Sequence, residues 1–561
     1  MNSDSGVPIT PVVIVGAGPV GLALALDLSW RGIRSTLVEQ ASDQRGSIDA
    51  NPRAAAISPR TMEFCRRWGF ASRIRNAGFP RDFNFNIVFC TSLDGYLITT
   101  QYFPSMNDRA PIPVSPEFRE RCPQTWFDPI LSEELARYRQ VTLLAGWRLE
   151  SFENSGESVK VTIRDVEAGV TRQLTARYLV ACDGPASSIR SALDIPTEGP
   201  GNLSDSLNVV LRIPGFLSKH DKGSAERYIF LDEKGRWAEL SCIDGRDRWR
   251  FGITWADTAL AGDQDRLNEL ISRALGPNME YQKLSVVRWR RRDAIAAQYR
   301  VKNVFLAGDA AHVIPPNLGL GMNTGVGDSV DLGWKLAATL GGWGGSHLLD
   351  SYQAERRPVA LRNAAASTFA YQVGKSATAG HPEVVEPGER GERGRAAVGR
   401  GIQEKLPAGW QTLNLQMGYR YDDSPICVPD GTPTPEGDEK TGVYVQTARP
   451  GARAPHVWLK EGVSILDIFG RGFVLLRFAP QLNVSRLADA ARARQVPLQV
   501  VDLGSEEAYK AYGARLVLVR PDGHVAWRGD TVPEDAQNLV DIVRGAHQRS
   551  GGSIPPGAAA N

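Results

Sequence analysis

The chain is short of the residues that build metal centres and disulfide frames. Its six cysteines, at positions 65, 90, 122, 182, 242 and 427 of 561, form no Cys-x-x-Cys pair, so neither a disulfide framework nor a zinc site is expected. The seven histidines are scattered without metal-ligand spacing, and a metal-free protein follows. Charge of one sign is not in excess: 65 Lys and Arg stand against 63 Asp and Glu, a net charge of +2, which recommends no nucleic acid or other polyanion as partner. The opening MNSDSGVPIT has no basic start and no apolar block, so a secretory leader is not expected. Residues 7–26 carry no charge, yet glycines interrupt them; they read as strand, turn and helix rather than a membrane span. A cytoplasmic protein is expected.

With 42% hydrophobic and 23% charged residues the composition is that of a globular protein, and the length implies about three to four domains. PVVIVGAGPVGLALALDLSWRGIRSTLVEQ reads as strand, tight turn, helix, strand. Gly16, Gly18 and Gly21 form G-x-G-x-x-G, which lets backbone amides approach a pyrophosphate at a helix N-terminus. Glu39 ends the second strand, where a carboxylate accepts the ribose hydroxyls of an adenosine. The motif suits either NAD or FAD.

Two later segments bear on that choice. RYLVACDGPASSIR runs as a strand into Asp183 and Gly184, with Ser187 and Arg190 opening a helix. VFLAGDAAHVIPPNLGLGMNTG delivers Asp309 from a strand tip, stiffens the turn with Pro315 and Pro316, and removes side chains at Gly319 and Gly321. A helix from about Met322 to Leu340 follows, with Val326, Val330, Trp334 and Ala337 as an amphipathic stripe. Its N-terminus offers unpaired amides and a partial charge of about +0.5. That favours a ring that becomes anionic on reduction, which a flavin does and a nicotinamide does not.

These three segments, in this order, resemble the single-component FAD aromatic hydroxylases, the family of p-hydroxybenzoate and phenol hydroxylases. The resemblance spans about the first 370 residues and includes NPRAAAISPRTMEFCRRWG, CPQTWFDPIL and DLGWKLAATLGG…LLDSYQAERRPVA. It implies FAD reduced by NADH or NADPH, reaction with O2 to a flavin C4a-hydroperoxide, and hydroxylation of a phenolic ring. By the same resemblance Gly16, Gly18, Pro19, Gly21, Glu39 and Gln40 hold the ADP half of FAD, and Arg53 reaches the pyrophosphate side. Gln124 lies beside the ribityl chain or caps a helix start. Gly308 and Asp309 bind the ribityl group, and Pro316, Gly319, Gly321, Met322 and Asn323 line the isoalloxazine edge. Asp183 and Arg190 match a motif linked to FAD and the nicotinamide nucleotide, though Asp183 equally suits the cap of its own turn. His312 is assigned a structural or flavin-side role. Where some relatives place an Asp or His to deprotonate the substrate, this chain has Ala55, so the base comes from the substrate domain or from water.

The fold class implied is α/β: a Rossmann-like FAD-binding domain (1–81, 109–194, 286–372) interleaved with an antiparallel-sheet substrate domain (82–108, 195–285). Residues 373–445 are expected as a helical or loop linker, with the Gly-, Glu- and Arg-rich run near 374–405 as a mobile linker or surface loop. Residues 446–550 resemble a thioredoxin-like domain without cysteine, and 551–561 a disordered tail. Trp237, Trp249 and Phe251 are candidates for the substrate wall; Arg250 is expected to be exposed beside Asp247, and RWRRRD at 288–293 to be a solvated face or a nucleotide-phosphate contact. A homodimer with an aromatic small-molecule substrate is the expected form. The substrate expected is a monocyclic phenol of bacterial degradation, with a polycyclic polyketide as alternative. A flavin oxidase, dehydrogenase or halogenase, and a flavin-binding interaction protein, are the rivals.

Overall fold

The computed structural model describes residues 9–42, 55–254, 262–406, 412–435 and 442–547. The chain divides into two compact units, the first formed by Met1–Val330, Arg357–Gly418 and Glu436–Val445, the second by Asp331–Arg356, Tyr419–Pro435 and Gln446–Asn561.

In the first unit, strands Val304–Leu306, Thr171–Ala181, Thr10–Val15, Ser35–Glu39 and Val141–Ala145 lie side by side and parallel. Val12, Val13 and Ile14 are fully buried, as a strand covered on both faces requires. Helix Pro19–Trp30 follows the first strand, with Pro19 at its first turn where a missing N–H costs nothing.

A second sheet of eight strands runs in the order His312–Val313, Gln282–Ala296, Thr197–Arg212, Arg248–Thr254, Gly235–Cys242, Arg227–Asp232, Ile87–Cys90 and Leu97–Gln101. It is antiparallel apart from the pairing of Arg227–Asp232 with Ile87–Cys90. One face buries Leu207, Val209, Leu240, Trp249 and Phe251 in a single core. Period-two alternation sends the intervening residues to the other face.

The expected loop near 374–405 is largely helical. Helix Ser351–Ala377 continues into it, and Gly388–Lys405 forms another helix. Its glycines form a close-packing surface: a Cβ at Gly399 would lie 3.0 Å from the Ile98 carbonyl of an edge strand. An exposed Glu/Arg pair four apart, Glu389–Arg393, supports it. The helix expected from Met322 runs Gly321–Leu340, and it is not an amphipathic surface helix, since Asp328, Asp331 and Lys335 are as buried as Val326 and Trp334.

The second unit carries the thioredoxin-like order of strands, Leu498–Asp502, Phe473–Arg477, Leu516–Val519 and Val525–Gly529. The first two are parallel and the others antiparallel, with helices Ser485–Ala493, Glu506–Tyr512 and Ala536–Val543. Within this unit Lys335 Nζ lies 2.7 Å from Asp331 and 2.6 Å from Glu355, and Arg520 pairs with Glu355, Asp522 and Asp331, all buried. Among the described residues no helix is long and apolar enough to cross a membrane.

Candidate active site

One cavity of about 1040 Å³ lies in the first unit. One wall is made by the ends of the parallel strands and their turns, through Gly18, Gln124, Asp309, Pro316, Gly319 and Met322. The outward-turned face of the second sheet forms the opposite wall.

The Gly-rich turn is shaped by close backbone approach. Gly16 has φ +101°, and a Cβ there would sit 2.3 Å from the Cys182 carbonyl; a Cβ at Gly21 would meet the Gly16 carbonyl at 1.9 Å. Gly18 is different: a Cβ would meet no protein atom within 4 Å, so protein packing does not demand glycine there. Glu39 accepts from the Ala17 amide at 2.7 Å and the Ala41 amide at 2.9 Å, fixing the turn against the second strand. Gln40 is exposed. Arg53 lies outside the described residues.

Gln124 begins helix Gln124–Leu135, donates to Asp128 at 2.9 Å and also lines the cavity. Asp183 is drawn into its own turn, accepting from Ser188 N at 2.9 Å and Ile189 N at 3.4 Å. Arg190 donates to the Ala310 carbonyl at 2.8 Å and the Pro185 carbonyl at 3.0 Å. Neither lines the cavity; the pair braces two turns against each other.

The Gly308–Ala310 turn is held from below. Asp328 Oδ2 accepts from Gly308 N at 3.1 Å and lies 2.6 Å from His312 Nε2, all of it buried. His312 therefore belongs to the support of Asp309 and not to the cavity. Asn323 is likewise absent from the lining. Its Nδ2 donates to the Ala56 and Gly319 carbonyls at 3.0 and 2.8 Å, while Oδ1 accepts from Ser58 N and Thr61 Oγ1 at 2.8 and 2.7 Å. Its side chain clamps the loop carrying Ala55 and Ala56 to the turn carrying Gly319, and it is the turn, through Gly319 and Met322, that lines the cavity.

The aromatic wall is not where the sequence placed it. Trp249 and Phe251 are fully buried in the sheet core. Trp237 sits at a register shift opposite Phe230 and Leu231, which turns it to the core side, with the Arg273 guanidinium 4.2 Å over its ring. Arg250, expected to be exposed beside Asp247, lines the cavity instead, and Asp247 pairs with Arg212 at 2.8 Å. Alternation is the reason: Trp249 and Phe251 inward put Arg250 and Gly252 outward.

The residues fit FAD. Gly18 leaves open backbone at a helix N-terminus for a pyrophosphate, and Asp309 and Gln124 offer polar groups along the wall. Residues 9–367 match the FAD binding domain family, and residues 447–546 match the aromatic-ring hydroxylase C-terminal family. The chain belongs to the FAD-dependent aromatic-ring hydroxylases. This hydroxylase is 33% identical to the 4-methyl-5-nitrocatechol 5-monooxygenase of Burkholderia sp, over 95% of this chain and 97% of that protein. It is 32% identical to a putative polyketide hydroxylase of Streptomyces halstedii, over 95% and 96%. Among solved structures it resembles RebC with bound 7-carboxy-K252c, soaked with chromopyrrolic acid, at TM-score 0.87 and 38% identity, covering 96% of this chain and 100% of that one. The hydroxylase is thus a flavoprotein monooxygenase by family.

Sequence reasoning missed the sheet residues Arg227 and Glu239 of the cavity, and Arg119 and Arg121 beside the short strand paired with Ala56–Ile57. The alternation around the buried tryptophans was the available signal.

Proposed function

We propose that this hydroxylase inserts one oxygen atom of O2 into the ring of a polycyclic aromatic substrate, with electrons from NADH or NADPH. The likeness to polyketide hydroxylases carries this reading, and the cavity of about 1040 Å³ runs from the flavin-side turns to the second sheet. Bound FAD supplies electron storage and oxygen activation.

The chain's own part is positioning and water exclusion. The Asn323 clamp and the Asp328–His312 pair fix the turns around Asp309 and Gly319. Ala55 lines the cavity and has no proton to move. Glu226 and Glu239 are poor bases. Burial pushes Glu226 and Glu239 upward, but neighbouring guanidiniums more than offset it, leaving Glu226 below its ordinary value and Glu239 at about 2. A substrate hydroxyl therefore loses its proton to water, helped by nearby positive charge.

The test is NADH and NADPH oxidation by the FAD-loaded protein against a panel of monocyclic to tetracyclic phenols, scored by mass for one added oxygen. Acceleration and product with three- or four-ring compounds are expected; a panel in which no aromatic accelerates oxidation would sink the reading. A substituted catechol is the second reading, favoured by the likeness to the nitrocatechol monooxygenase.

A further inference from the structure

Among the described residues that line the cavity only one carries an aromatic ring, Trp289. Register explains why it stands there while Trp249 and Phe251 do not. Trp289 lies opposite Ser206, and Val287 opposite Asn208, on strand Thr197–Arg212, whose Leu207 and Val209 are buried in the sheet core. Successive residues of a strand face opposite sides, so Ser206, Asn208, Val287 and Trp289 share the other face, and all four line the cavity. Gly252 is in register with Asn208 on the next strand, where a Cβ would come 3.2 Å from Asn208 Oδ1. The indole therefore rises beside short side chains.

The ring is held in place from its own strand. Arg291, two residues on, sets its guanidinium 5.2 Å over the Trp289 ring and 4.7 Å over the ring of Tyr371, and donates to Ser204 Oγ at 2.8 Å. A cation over one face of an indole stabilises it there, and a fixed ring loses little freedom when a ligand arrives. Trp289 is nonetheless only half-buried. An aromatic side chain has roughly 150–250 Å² to bury, so this one keeps apolar surface to give to a ligand. The partner it favours is another flat ring, in offset-stacked or edge contact.

We propose that Trp289 is the platform on which a fused aromatic substrate stacks, a specificity-determining residue that favours flat fused rings over puckered, saturated ones. The inference rests on reading this cavity as the substrate site, and assigns the holding of the rings to strand Gln282–Ala296.

The experiment is a calorimetric titration of the FAD-loaded protein with 2-naphthol and 5,6,7,8-tetrahydro-2-naphthol, repeated on Trp289→Phe and Trp289→Leu. The two ligands share the phenolic ring and the carbon skeleton and differ in whether the second ring is aromatic. Melting curves and FAD affinity check each variant. Ring stacking beyond buried area corresponds to about a fivefold advantage, so the wild type should bind 2-naphthol about fivefold tighter than its tetrahydro analogue. In Trp289→Leu the gap should fall below about twofold, through weaker naphthol binding. Trp289→Phe, with one ring in place of two, should keep a gap of about two- to threefold. Equal binding of both ligands by the wild type overturns the proposal, and so does a gap as large as the wild type's in either variant. A Trp289→Leu variant that loses FAD affinity and keeps the gap would assign the indole to the cofactor. Binding of neither ligand by the wild type would strike the substrate-site reading itself and the platform with it, whereas a gap that survives Trp289→Leu defeats the platform alone.

Discussion

Asn323→Asp is the most informative perturbation of the flavin-side wall. The wild-type amide uses both ends: two carbonyls, of Ala56 and Gly319, receive its Nδ2, and two donors, Ser58 N and Thr61 Oγ1, meet its Oδ1. The chemistry fixes the orientation, since carbonyls require the NH2 side and the Ser58 amide the oxygen. Aspartate keeps the second pair and turns the first into an oxygen facing two carbonyl oxygens. Each carbonyl that loses its donor costs about 1–3 kcal/mol when kept dry. Ala56 and Gly319 are only half-buried, so water can partly replace the donor and the low end applies, about 2 kcal/mol for the two. Without cofactor the loops can separate and relieve the strain; binding must draw them together again, so the cost appears as lost affinity. About 2 kcal/mol corresponds to roughly thirtyfold weaker FAD binding. Asn323→Ala, which leaves space for water and no repulsion, should fall between wild type and Asn323→Asp. The assay is FAD fluorescence quenching by titration of the apoprotein. Binding by Asn323→Asp within threefold of wild type, or an alanine variant weaker than the aspartate one, would refute the clamp.

Three other substitutions separate packing from binding. Gly18→Ala should melt like wild type as apoprotein, because its Cβ meets no protein atom within 4 Å, yet bind FAD at least about tenfold more weakly; Gly21→Ala, with a Cβ 1.9 Å from the Gly16 carbonyl, should lose both stability and FAD, and equal melting of the two would refute the distinction. Lys335→Met leaves buried Asp331 and Glu355 with Arg520 as their shared cation partner, and breaking such a pair costs about 3–5 kcal/mol. Burial holds the Asp331 carboxyl above its ordinary value, so above the ordinary carboxylate range the folded protein keeps a proton that the unfolded chain has released, and stability falls as pH rises. Removing Lys335 should steepen that fall, read as a larger melting deficit at pH 8.5 than at pH 5.5; a variant within about 2 °C of wild type at both pH values contradicts it. Phe251→Leu, a change in the sheet core, should cost about 1 kcal/mol of stability and leave the ratio of kcat/KM between two aromatic substrates within about twofold, measured by initial rates; a shifted preference would return Phe251 to the substrate wall.

The nucleotide end was legible because its chemistry is local. Gly16, Gly18 and Gly21 carry their meaning in spacing alone, and the Asp309 turn is announced by the prolines and glycines that follow it. Asn323 and His312 were legible as positions but not as partners. Each acts across the fold, Asn323 on residues about 265 positions away and His312 on a carboxylate one helix later, and no spacing rule reaches that far. The Gly388–Lys405 helix was misread for a related reason. Glycine weakens an isolated helix, so a run such as GERGERGRAAVGRG reads as a loop until the surface it packs on is known; here that surface is a strand backbone that a Cβ at 399 would crowd.

The substrate wall exposes the remaining gap, and it is one of parity. Aromatic residues invite assignment to an aromatic pocket, but a sheet with one covered face assigns its largest apolar side chains to the core first, since burying them supplies most of the stability. What is left for the cavity is the other register, and in strands Gly235–Cys242 and Arg248–Thr254 that register is Glu239, Ser241, Arg250 and Gly252. The cavity therefore presents charge where the sequence suggested rings. Hydrophobic contact to the substrate is available from Trp289, Leu207, Ile253 and Met322, which line the same cavity, beside the guanidiniums. A site built this way selects by charge and shape together.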